Sequence, residues 1–92
     1  MILSFRHKGL ERFFRTSNTS GIQAKHASRL RLLLAQLDQS KTIGDMNTPG
    51  TALHPLKGDR KGTWDVTVQA NWRMTFRFEN GNAEVVNYED YH

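Results

Sequence analysis

Two hydrophobic periods divide the chain. In the first half, apolar positions recur at helical spacing. Leu10, Phe13 and Phe14 stand at i, i+3 and i+4 and predict a short helix over residues 8–15. Ala27, Leu30, Leu34 and Leu37 form a stripe widened by Leu33, and predict a second helix over residues 22–39. Ser17-Asn18-Thr19-Ser20-Gly21 is the turn cluster between them. Ile2-Leu3-Ser4-Phe5 reads as a short first strand, and residues 41–51 as a loop with one helical turn. Ala52-Leu53-His54-Pro55-Leu56 is extended, with Pro55 confining it to a sheet edge or strand end.

After the glycine-bounded loop Lys57-Gly58-Asp59-Arg60-Lys61-Gly62 the period becomes two. Trp64, Val66 and Val68 alternate with polar residues, as do Trp72, Met74, Phe76 and Phe78, which predicts antiparallel strands with one buried face. Both tryptophans lead apolar faces and are expected in the core. Asn80-Gly81 fits a two-residue type I′ hairpin. That turn sets Glu79 opposite Asn82, Phe78 opposite Ala83 and Arg77 opposite Glu84. Continued without interruption, it sets Phe76 opposite Val85, Thr75 opposite Val86, Met74 opposite Asn87 and Arg73 opposite Tyr88. Arg77 and Glu84 would then form a surface ion pair of ~0.2–1 kcal/mol. Residues 1–92 thus predict one α+β domain, with an N-terminal strand and two helices packed on a twisted antiparallel sheet.

Charge is unevenly spread. Residues 1–78 hold all 13 Lys and Arg with five acids, whereas the last 14 residues hold four acids and no fixed cation. A basic body suits a polyanion such as RNA, although a solvated basic face has the same composition. With no cysteine, disulfide and thiolate chemistry are excluded, which fits a reducing cytoplasm. Met1-Ile2-Leu3-Ser4-Phe5 is too short for a signal-peptide core, and no apolar run reaches membrane-spanning length, so no membrane partner is expected. His7, His26, His54 and His92 lack close metal-ligand spacing, so neither a metal nor another cofactor is expected.

The uninterrupted register puts Asn71, Arg73, Tyr88 and Asp90 on the sheet face away from the core, with His92 joining them across from Gln69 and Tyr91 turned the other way. Acid, imidazole and cation together are what metal-free cleavage of a phosphodiester needs. Each has a plainer reading. Arg73 could simply pair with Asp90, His54 could be an ordinary edge residue, and Lys57, Arg60 and Lys61 could be a solvated loop.

The motifs His54-Pro-Leu-Lys57-Gly-Asp-Arg60, Gly62-x-Trp64, Asn71-Trp72-Arg73-Met-Thr-Phe76 and Asn87-Tyr88-Glu89-Asp90-Tyr91-His92 resemble the HigB branch of the RelE/ParE-like bacterial toxins. The similarity extends to the opening Phe5-Arg6-His7-Lys8-Gly9-Leu10 and so covers nearly the whole chain. It implies a RelE-like, microbial-ribonuclease-type fold and a ribosome-dependent mRNA endoribonuclease that stops translation. Implied partners are a HigA-like helix-turn-helix antitoxin, the 70S ribosome with mRNA in its decoding site, and operator DNA reached only through the toxin–antitoxin complex. The implied catalytic residues are His54, Lys57, Arg73, Asp90, Tyr91 and His92, with Asn71, Arg60, Lys61 and Gln69 against the RNA. Gln69 is a departure, since relatives carry arginine there, and a missing cation is expected to weaken the grip on RNA. The base is Asp90 or His54 and the acid His92, with the roles exchangeable. The rivals are a ParE-like, non-catalytic inhibitor of DNA gyrase and a basic RNA-binding domain.

Overall fold

The computed structural model describes residues 1–91. Helix α1 spans Lys8–Thr16 and α2 spans Ala27–Gln39. Strands β1 (His54–Pro55), β2 (Thr63–Gln69), β3 (Trp72–Glu79) and β4 (Asn82–Asp90) form one sheet in the order β1-β2-β3-β4, each neighbour antiparallel. Tight 3-10 turns occupy Ala24–His26, Ile43–Met46 and Gly58–Arg60. The second helix therefore opens as a 3-10 turn, and its α-helical part starts at Ala27, where the apolar stripe begins, rather than at residue 22.

The core lies between the helices and one sheet face. Leu10, Phe13, Leu30, Leu33, Leu34 and Leu37 meet Val66, Met74, Phe76, Ala83 and Val86 there. Trp64 and Trp72 are partly buried against this cluster. His7 caps α1, its Nδ1 accepting the Leu10 N–H at 2.9 Å. The helix ends at Ser17, left-handed at φ 64°, whose N–H reaches the Phe13 carbonyl. The N-terminal segment runs along β4 but meets it only at two isolated parallel bridges, Ile2–Ala83 and Phe5–Val86.

The β3–β4 hairpin turns at Asn80 and Gly81, with φ of 53° and 77°, the two positive values a type I′ turn requires. Its register matches the sequence reading as far as Arg77–Glu84 and then shifts by one. Thr75 pairs with Asn87, Met74 with Tyr88, Arg73 with Glu89 and Trp72 with Asp90. The cause is a bulge at Val85, a β-branched residue at φ 54° and 42% exposed, while Val86 takes the core position. The N-terminal segment holds the bulge. Val85 N–H donates to Ser4 Oγ at 2.9 Å, Val86 N–H to the Ser4 carbonyl at 3.1 Å, and Arg6 N–H to the Val86 carbonyl at 2.8 Å. The extra residue also falls between the two bridges, which is why the first strand does not run as a continuous ladder. Arg77 and Glu84 face each other but form no ion pair, and Arg77 Nη2 instead lies close above Gly62.

A valine in the left-handed region costs about 1–3 kcal/mol. Asparagine tolerates that conformation, and Val85 has little packing to lose. Val85→Asn is therefore expected to raise unfolding free energy by about 1 kcal/mol. Urea denaturation measures it, and an unchanged or lower midpoint would contradict the strain.

Candidate active site

The site lies on the sheet face away from the helices. Pairing of β1 with β2 sets His54 opposite Asp65, pairing of β2 with β3 sets Asp65 opposite Thr75 and Thr67 opposite Arg73, and pairing of β3 with β4 sets Arg73 opposite Glu89. His54, Asp65, Arg73, Thr75 and Glu89 thus share one face, and Tyr91 follows Glu89 onto it.

His54 stands half exposed at the edge. Its Nδ1 lies 3.0 Å from the Ala52 carbonyl. A carbonyl can only accept, so the Nδ1 proton is held there and Nε2 of the neutral ring is an acceptor. Arg73 is held more firmly. Its Nη1 donates to the carbonyls of Ala70 and Trp72, its Nε lies 3.7 Å from Asp65 Oδ1, and its guanidinium lies over the Tyr91 ring at 5.9 Å. Nη2 has no hydrogen-bond partner among the described residues and is the free corner of the cation.

Arg60 clamps the end of β4. It grips Glu89 through two bonds of 3.0 and 2.5 Å and reaches the Tyr91 hydroxyl at 3.4 Å, while Thr75 Oγ1 donates to Glu89 at 2.8 Å. Burial pushes the Glu89 carboxyl up, but the bonds from Arg60 and Thr75 and the charge of Arg60 outweigh it and leave it below the ordinary glutamate value. Arg60, expected against RNA, is therefore first a structural cation. The clamp borders a depression of about 270 Å³ that includes Arg6, Arg60, Thr75, Arg77 and Asn87 and extends the basic surface.

The bulge redistributes the remaining predicted residues. Tyr88, expected on the polar face, is buried on the helix side. It stacks on Trp72 at 4.5 Å and shares a 2.5 Å hydrogen bond with buried His26. Asp90 faces Trp72 across the ladder, on the side of Tyr88 and His26 rather than of Arg73. Its charge acts on both those groups. Tyr91, expected to point away, shares the face of Arg73, its N–H tied to the Asn71 carbonyl at 2.8 Å. Asn71 and Gln69 are exposed where β2 turns into β3. Lys57 and Lys61 are exposed, form no ion pair with a described residue, and border a recess with Pro55 and Trp64. The predicted His92 lies outside the described residues.

Sequence reasoning missed Asp65, Glu89 and Thr75. Asp65 is fully buried, and neither of its oxygens has a hydrogen-bond partner among the described residues. Its signal was an acid in the middle of an apolar strand, one residue from each of Trp64 and Val66. No three His, Asp or Glu side chains among the described residues are grouped to hold a metal ion.

The fold, an antiparallel sheet with helices on one face, is shared with solved structures of other bacterial proteins. A YafQ mutant from E. coli is similar, with a TM-score of 0.61 and 16% identity over 98% of this chain and 91% of that one. A YoeB/ParE toxin from Agrobacterium tumefaciens has a TM-score of 0.59 and 20% identity over the full length of both. The family of HigB-like toxins, RelE-like toxins of the type II toxin–antitoxin system HigB, matches residues 3–92. A protein from Proteus vulgaris named Endoribonuclease HigB is 51% identical over 92 residues, the whole of both chains. The chain belongs to the HigB-like toxin family. As a toxin of a type II system it has an antitoxin for a partner.

Proposed function

We propose that the protein is an endoribonuclease that cuts mRNA on the ribosome by attack of the RNA's own 2′-hydroxyl. The observation that carries this reading is a half-exposed imidazole, its Nδ1 proton fixed on the Ala52 carbonyl, on the same sheet face as a guanidinium fixed at all but one corner. The 2′-oxygen bonds to the adjacent phosphorus as its proton passes to His54 Nε2. The bond from phosphorus to the 5′-oxygen breaks, and that oxygen takes a proton from His92. The products are a 2′,3′-cyclic phosphate and a 5′-hydroxyl. Arg73 Nη2 and Lys57 meet the charge gathering on the phosphoryl oxygens, and the Tyr91 ring offers a stacking face to a base. His54 is preferred to Asp90 as base because Asp90 stands on the other side of the ladder from Arg73. Asn71, Lys61 and Gln69 flank the path of the RNA, and Arg60 supports it through Glu89.

The antitoxin in this reading is HigA-like, with a helix-turn-helix domain that carries the complex to operator DNA. The protein works in the bacterial cytoplasm, and no helix among the described residues is long and apolar enough to cross a membrane. Purified protein added to translating ribosomes is expected to leave codon-phased cuts with 2′,3′-cyclic phosphate and 5′-hydroxyl ends. Sequencing of mRNA 5′ ends and chemical typing of both new ends test this. Intact mRNA, or cuts with 5′-phosphate ends, would overturn it.

A further inference from the structure

Asp65 is the only fully buried acid among the described residues, and it lies at the centre of the face that carries the site. A carboxylate without hydrogen bonds in the middle of a sheet is costly, and a threonine or asparagine would fill the space at less expense. What surrounds it is specific. His54 Nδ1 on β1 lies 3.6 Å from Oδ1, and Arg73 Nε on β3 lies 3.7 Å from the same oxygen. One carboxylate oxygen thus sits between the imidazole and the guanidinium. The charge of Arg60, in the turn before β2, also acts on it, and the Tyr91 hydroxyl, beyond β4, approaches it as a donor without closing a full hydrogen bond. Glu89 faces the same space from β4 but is occupied by Arg60 and Thr75.

Resting on the nuclease reading above, we propose that Asp65 is a positioning residue that holds His54 and Arg73 for RNA cleavage and stabilises the imidazolium formed when His54 Nε2 takes the 2′-hydroxyl proton. The arrangement follows the logic of an acid set behind a catalytic imidazole, on the nitrogen away from the substrate. At rest the Nδ1 proton is held by the Ala52 carbonyl, 3.0 Å away against 3.6 Å for Asp65. Once the ring is charged, the buried carboxylate is its counter-ion, little screened by water.

The same carboxylate is a burden on folding. Burial raises Asp65 above the ordinary aspartate value, by more than His54, Arg73, Tyr91 and Arg60 lower it. The folded state therefore keeps its proton through a window where the unfolded chain has lost it. Stability from this group falls as pH rises from the ordinary value through the raised one. Removing the charge takes away that loss, so activity and stability should move apart.

Asp65→Asn is expected to cut mRNA at least tenfold more slowly at saturating ribosomes, with KM within about twofold and a thermal midpoint at neutral pH no lower than that of the unsubstituted protein. In the double variant with His54→Gln, Asp65→Asn should add less than about threefold to the loss from His54→Gln alone. If Asp65→Asn does not fold, Asp65→Ser fits the same space and should show the same pattern. A variant as fast as the parent would overturn the assignment, as would full additivity with His54→Gln or a midpoint more than about 5 °C lower. If the parent protein itself leaves mRNA intact, the nuclease reading fails. If the parent cuts and Asp65→Asn cuts equally, only the role of Asp65 fails.

Discussion

Arg73→Ala is expected to slow mRNA cleavage by about 10²–10³-fold, the usual loss when one fixed donor to a developing oxyanion is removed. The size follows from how the side chain is held. Two main-chain carbonyls, the Tyr91 ring and Asp65 fix three sides of the guanidinium, and the side chain is only 23% exposed. The cation is therefore in place before substrate arrives and need not reorganise as charge builds. Arg73→Lys keeps a positive charge beside Asp65, so it should fold like the parent. It should still recover little of the rate, since a single ammonium nitrogen cannot stand at the Nη1 position against Ala70 and Trp72 and also place a donor where Nη2 points. Single-turnover cleavage on mRNA-loaded ribosomes separates this from weaker binding. A loss within about threefold for Arg73→Ala, with the protein folded, would remove Arg73 from the chemistry.

The layout of the sheet was legible because its signals are local. Alternation from Trp64 to Phe78 and the Asn80-Gly81 turn are short-range patterns, and they gave three strands, the hairpin and its register up to Glu84. The register then failed at Val85 because the cause is distant in sequence. The bulge is held by Ser4, 81 residues away from Val85, and a valine gives no local warning of a left-handed backbone. One trace was present. Ala83, Val86 and Tyr88 are spaced by three and then two, so a regular strand could not have kept all three on the core face. Following that pattern would have placed Tyr91 with Arg73 and moved Tyr88 and Asp90 away. Asp65 was illegible for another reason. Alternation assigns it to the polar face, but its burial is produced by side chains from β1, β3, the turn before β2 and the end of β4. Asn71 was placed by the hairpin register, whereas His54, Lys57 and Tyr91 entered the site through the resemblance in their motifs, not through periodicity.

Phe76→Ala should show the opposite signature to Arg73→Ala. Phe76 is fully buried in β3, on the core side of the strand whose other face carries Arg73 and Thr75. Truncating a buried phenylalanine costs about 3–5 kcal/mol. A domain of this length has roughly 5–14 kcal/mol in total. The thermal midpoint should fall by roughly 12 °C or more. Cleavage measured well below the new midpoint should nevertheless stay within about fivefold of the parent, because the residues proposed to touch RNA point away from the cavity and are held by their own contacts. Those contacts are the Arg60–Glu89 pair, the Thr75–Glu89 bond and the carbonyls that fix Arg73. A cold, folded Phe76→Ala protein that had lost cleavage as fully as Arg73→Ala would show that the site depends on core packing transmitted through β3. The division of one strand into a face for stability and a face for chemistry would then be wrong.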